Sequence, residues 1–176
     1  IYEIGFCHLT LGNAYGLQGD ERQLDYHFRE AIAVFHRQKL LHHWCEAVVS
    51  YADARLDSAG ERELLLLRRY LMDAQSEGAA AVSDRMLCRV LQRLAQAQIQ
   101  LKQFDDALLT VFELERHAAG IEDGEMDARV IQLRNRIEAG FVGGARQTDS
   151  NLRAIGEIPE LARSENTSDL GSVLSF

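Results

Sequence analysis

The strongest constraint on this chain is that it repeats one plan three times: an apolar helical stripe, a short turn signal, then a second stripe. In the first copy the stretch LGNAYGLQGD closes a helix predicted over about residues 3–18. Asp20 then offers an N-cap with Gln23 three residues on, and Leu24, Phe28, Ala31 and Phe35 share one face of a helix over about 20–38. In the second copy Trp44, Val48, Tyr51, Ala52 and Leu56 form the first stripe. Ser58-Ala59-Gly60-Glu61 offers a capping box, and Leu64, Leu67, Leu71 and Met72 follow. The breaker Ser76-Glu77-Gly78 leads to the third copy, with Leu87, Leu91, Leu94, Ala95 and Gln98 before the turn and Phe104, Ala107, Leu108, Val111 and Leu114 after it. One more amphipathic helix, carrying Met126, Val130, Leu133, Ile137 and Phe141, is expected to stop before Gly143-Gly144.

Aligning the three turns places Gly12, Asp53 and Ala95 in equivalent positions, 41 and 42 residues apart. A glycine inside a helix costs about 1 kcal/mol relative to alanine, so Gly12 is expected where a second helix crosses closely. Each hairpin has an apolar face that it cannot bury alone. Stacking the hairpins and covering the last with a single helix is the physical solution.

The segment LGNAYGLQGDERQLDYHFREAIAVF resembles a tetratricopeptide repeat, with Leu11, Gly12, Tyr15, Phe28 and Ala31 on the motif and Leu24 in place of its small alanine. LAQAQIQLKQFDDALLTVFEL is similar through Leu94, Ala95 and Ala107. The middle copy keeps the helix pattern and Gly60. The resemblance covers about residues 3–141, and its long period resembles the variant found in bacterial regulators. It implies an all-α fold, a right-handed superhelical solenoid of helical hairpins with a terminal capping helix. It also implies a non-catalytic interaction module whose first helices line a groove for a peptide or a partner's helix.

On that register the expected groove residues include Asn13 and Leu17, Ser50 and Ala54, and Arg89, Gln92, Arg93, Gln96 and Gln100, with Phe6, Leu9 and Ala47 alongside. Arg85, Arg89 and Arg93 recur every four residues and so share a helix face. Guanidinium forks pair carboxylates and glutamines can bridge a peptide backbone, so an acidic peptide fits this stripe. A solvated helix face explains the same pattern. Some members of the family clamp a terminal carboxylate. Asn13, Arg89 and Arg93 match that pattern, while Leu9 and Tyr51 replace a lysine and an asparagine that it requires.

Composition narrows the other classes. A net charge of −8 disfavours direct binding of nucleic acid. The apolar run Leu64–Leu67 is far short of the roughly 18 residues that span a bilayer, so no membrane partner is expected. No phosphate loop, paired-carboxylate motif or cofactor turn is present, so neither enzyme activity nor a cofactor is expected. His36, His42, His43, Cys45 and Glu46 crowd one turn without the spacing of a zinc site, and a polar turn with a core cysteine is expected instead. His8, His27 and His117 are read as single scattered residues. Cys7, Cys45 and Cys88 are odd in number and read as reduced core thiols of a cytoplasmic protein.

The chain opens on isoleucine with no leader pattern, which gives the expectation of a piece of a larger protein. Residues 1–142 are expected to form the repeat domain and 143–176 a linker or tail, within which SNLRAIGEI, PELARSE and DLGSVLSF are short pieces that could order. A sensory or dimerisation domain of a larger signalling enzyme or transcription regulator, a homodimer included, is the alternative to a peptide-binding module. Leu65 or Leu66 is then the candidate for an outer apolar patch.

Overall fold

The structure, a computed structural model, describes residues 2–121 and 124–156, with side chains for 3–121 and 124–143. Among the described residues are seven helices: α1 (Tyr2–Gln18), α2 (Glu21–Arg37), α3 (Leu41–Arg55), α4 (Glu61–Gly78), α5 (Asp84–Gln100), α6 (Phe104–Ala118) and α7 (Gly124–Gly156). No strand occurs among the described residues, so the chain is all-α as expected.

Two units are distinguished, residues 1–141 and 142–176. The expected helix stop before Gly143-Gly144 is not taken, and α7 runs on to Gly156. Glycines cost a helix about 1 kcal/mol each without breaking it as proline does. PELARSE and DLGSVLSF lie outside the described residues. Ser76 and Glu77 likewise continue α4 rather than breaking it.

Three turns share one backbone device. Gly19, Lys39 and Lys102 all have positive φ, at 74°, 55° and 59°. In each, the next residue's N–H reaches back five residues: Asp20 to the Tyr15 carbonyl at 3.1 Å, Leu40 to Phe35 at 3.0 Å and Gln103 to Gln98 at 2.8 Å. This left-handed closure satisfies carbonyls that a helix end leaves free. The α1–α2 turn adds the expected cap, with the Gln23 N–H donating to Asp20 Oδ1 at 3.1 Å. At the α3–α4 turn the expected capping box does not form. The Ser58 hydroxyl accepts from Arg55 at 3.1 Å, and α4 begins only after Gly60.

That longer middle turn moves the repeat register by one residue. Gly12 stands nine residues ahead of the start of α2, Ala52 nine ahead of α4 and Ala95 nine ahead of α6. Ala52 and Ala95 are fully buried, so Ala52 and not Asp53 is the middle equivalent of Gly12. The reason for the glycine is direct: a Cβ on Gly12 would lie 2.9 Å from Cδ2 of Phe28.

Consecutive helices from α1 to α6 pack on one another, and α3 also touches both α1 and α5. One buried cluster joins Phe28, Ile32 and Phe35 of α2 with Trp44, Val48 and Tyr51 of α3, Leu64, Leu67 and Leu71 of α4, and Val90 and Leu94 of α5. A second joins Leu87, Leu91 and Ala95 of α5 with Val111 and Leu114 of α6 and Met126, Val130, Leu133 and Ile137 of α7. Helix α5 therefore belongs to both clusters. Arg134 of α7 adds a forked pair to Glu115 of α6, at 2.5 and 2.6 Å.

Gly12→Leu is expected to overpack the α1–α2 contact against Phe28 and cost roughly 1–3 kcal/mol. Urea unfolding checks this, and an unchanged midpoint would contradict the contact. Lys102→Gly removes the Cβ from a left-handed position, and denaturation should show a gain of about 0.5–1 kcal/mol.

Candidate partner-binding site

Helix α5 is anchored at its start by Ser83, whose hydroxyl accepts from the Met86 N–H at 3.3 Å. From there its apolar residues turn toward two clusters, leaving a narrow polar strip that carries Arg89, Arg93, Gln96 and Gln100, each half-buried. Spacings of three and four residues keep these four on one side of the helix.

The strip does not stand alone. Asp53 projects from α3 onto it, pairing through one carboxylate oxygen with the Arg93 guanidinium while its other oxygen lies 3.8 Å from Arg89 Nη2. Arg93 also donates through Nη1 to Gln96 Oε1 at 2.8 Å. Asp53 is thus the missed member of the site, and the shifted register explains why: counted as the partner of Gly12, it reads as a packing position. The signal that finds it is its place beside Ala52, one residue round the helix from the buried face.

The remaining expected residues are distributed as follows. Ser50 is half-buried and Ala54 exposed on α3, while Asn13 and Leu17 are exposed on α1, Leu17 at 93%. Ala47, expected in the groove, is fully buried. Gln92 is 4% exposed and accepts from Arg129 Nη1 of α7 at 3.3 Å, so its amide is engaged between two helices of the chain. Adjacent helical residues point about 100° apart, which turns Gln92 away from Arg93 and toward α7.

The other constellations have local explanations. His8 and His27, read from sequence as single residues, meet with their Nδ1 atoms 2.9 Å apart, and the His27 ring stacks on Tyr15. Burial first, and the His8 ring second, lower the His27 pKa below its ordinary value. Around the second turn, His43 packs against Phe6 and Phe35, and His36 pairs with Glu77 at 3.1 Å. Among the described residues no group of three or more His, Cys, Asp or Glu is placed to hold a metal ion. Cys45 and Cys88 are buried but Cys7 is exposed, which corrects its expected place in the core. Burial pushes both inner thiols up to about 11, helped by Glu77 for Cys45 and by Asp84 for Cys88. No helix among the described residues is long and apolar enough to cross a membrane.

The described helices leave several clefts between them. One of about 170 Å³ lies over Trp44 and Tyr70, and another of about 230 Å³ over Met72 and Leu109. Both fall below the roughly 300–1,000 Å³ of small-molecule sites. A larger cleft of about 420 Å³ is lined by His36, Lys39, Leu41 and Glu77.

No protein-family model, curated protein or solved structure matches the chain.

Because Asp53, Arg89 and Arg93 are all partly exposed, Asp53→Asn is expected to cost less than about 1 kcal/mol. Thermal unfolding followed by circular dichroism checks this. A larger loss would make Asp53 a structural link between α3 and α5 rather than a surface counter-ion.

Proposed function

We propose that the chain is a protein-binding regulatory module of the tetratricopeptide-repeat kind, a right-handed solenoid whose inner layer is α1, α3 and α5. The observation that carries this reading is an asymmetry of contacts. Helix α3 approaches α1 and α5 closely along its backbone, whereas α2 meets α4, and α4 meets α6, at longer range through side chains such as His36 with Glu77 and Gln75 with Glu113. Spreading one layer while the other closes up curves the stack and leaves the first helices on the concave side.

The proposed binding surface is the polar strip of Arg89, Arg93, Gln96 and Gln100 with Ser50, Ala54, Asn13 and Leu17 beside it. Its chemistry suits an acidic peptide or the acidic face of a partner helix. Asp53 holds the two guanidiniums in place, and an arriving carboxylate exchanges with it. The pairing is between partly exposed groups and so is weak enough to be replaced. Nothing in this reading calls for catalysis, a cofactor or a metal.

A second reading, an assembly or sensory domain of a larger regulator, is favoured by exposed apolar side chains on the outer helices. Met72 and Leu109 line one cleft between α4 and α6, and Phe112 continues the exposed face of α6. Leu65, singled out in the sequence, is exposed as well.

The test is binding of a fluorescently labelled poly-glutamate peptide at two salt concentrations. Arg89→Ala combined with Arg93→Ala should weaken binding while helix content is kept, and added salt should affect the wild type more than the double variant. Equal affinity and equal salt dependence in both proteins would reduce the strip to a solvated helix face.

A further inference from the structure

The one-residue correction of the register makes the three hairpins comparable position by position, and the comparison singles out one face of α1. Leu11 corresponds to Tyr51 of α3 and Leu94 of α5, Cys7 to Ala47 and Val90, and Ile4 to Trp44 and Leu87. In α3 and α5 all six residues are at most 2% exposed. In α1, Ile4 is 52% and Leu11 41% exposed, and Cys7 is exposed too.

What covers this face elsewhere is visible in the contacts. Phe28 of α2 stacks on Tyr51, the Tyr51 hydroxyl donates to Asp25 of α2 at 2.9 Å, and His36 of α2 lies against Trp44. Val90 and Leu94 likewise share a buried cluster with Leu64, Leu67 and Leu71 of α4. The second helix of the hairpin in front supplies the cover for these residues, while Leu87 belongs to the other cluster, with α6 and α7. At the other end of this unit, α7 turns Met126, Val130, Leu133 and Ile137 inward and shows solvent Asp127, Gln132, Asn135, Arg136 and Glu138, together with Ile131 and Phe141. A polar outer face is what a terminal element of a stack requires. Helix α7 meets that requirement in part, and α1 at Ile4 and Leu11 does not.

We propose that the Ile4, Cys7 and Leu11 face of α1 is a docking surface for an amphipathic helix that continues the stack, lying on α1 as α2 lies on α3 and α4 on α5. The three positions carry no charge, so the occupant meets them with aliphatic side chains. The stripe Leu64, Leu67, Leu71 and Ala74 of α4 is the template, since α4 covers aliphatic Val90 and Leu94 in α5. This surface lies apart from the arginine strip of α5 and does not depend on what that strip binds.

The experiment supplies the missing cover from the chain's own parts. Residue 1 corresponds to Asp84, so a copy of residues 41–83 joined directly ahead of Ile1 reproduces the α4–α5 connection and lays a second α4 on α1. The readouts are the reaction rate of Cys7 with a thiol reagent and the thermal midpoint. The unextended chain should show one fast thiol, because Cys45 and Cys88 are buried. In the extended chain Cys7 should react at least about tenfold more slowly, since it then reacts only through local opening, and the midpoint should rise. Leu11→Glu in the extended chain should restore the fast thiol and remove the gain, while the same change in the unextended chain leaves its midpoint nearly unmoved. Two results overturn the proposal. One is a Cys7 equally fast with and without the extension. The other is an unextended chain that runs as a dimer in light scattering, with Cys7 already protected and Leu11→Glu making it monomeric, because a second copy then occupies the face.

Discussion

Burial of the first helices from two directions is the constraint on which the rest of this structure depends. Helix α5 gives Val90 and Leu94 to the cluster in front of it and Leu91 and Ala95 to the cluster behind. Fully burying a leucine or valine side chain contributes roughly 1.5–3 kcal/mol. A helix divided between two clusters therefore holds its neighbours together more than any surface pair does. The same demand sets the rest of the sequence. Small residues stand where helices cross, as at Gly12, Ala52 and Ala95, and the half-buried polar residues of α5 line a strip.

That confinement is why the arginines and glutamines of α5 invite a functional reading. Burial of the other sides of α5 leaves one part-exposed side, and Arg89, Arg93, Gln96 and Gln100 occupy it whether or not anything binds there. Asp53 adds a feature that a purely solvated face does not need. One carboxylate from a neighbouring helix serves two guanidiniums and orients them, and oriented donors lose less freedom when a ligand arrives.

The architecture was legible in the sequence where local signals and periodicity agreed. The Asp20 cap, the Gly12–Phe28 contact and the three helix pairs all follow from spacing and residue type. The misreadings have physical causes. Ser58 has the chemistry of a cap, but its hydroxyl is claimed by Arg55, a residue that itself sits buried between Glu21 and Asp25. That single competition moved the second turn, and with it the assignment of Asp53 and Ala47. Gln92 was misplaced because its partner, Arg129, comes from a helix 37 residues away that no local pattern connects to it. The pairing of His8 with His27 was invisible for the same kind of reason, since it exists only once α1 lies on α2.

The buried cysteines carry a consequence for where such a chain can fold. With a pKa of about 11, Cys45 and Cys88 are thiolates in only about one molecule in ten thousand at pH 7. The thiolate is the species that exchanges and oxidises. One such thiol sits in each cluster, shielded by the hydrocarbon it helps to form. Within the folded clusters neither thiol is poised to exchange, and these two buried cysteines do not by themselves specify a compartment.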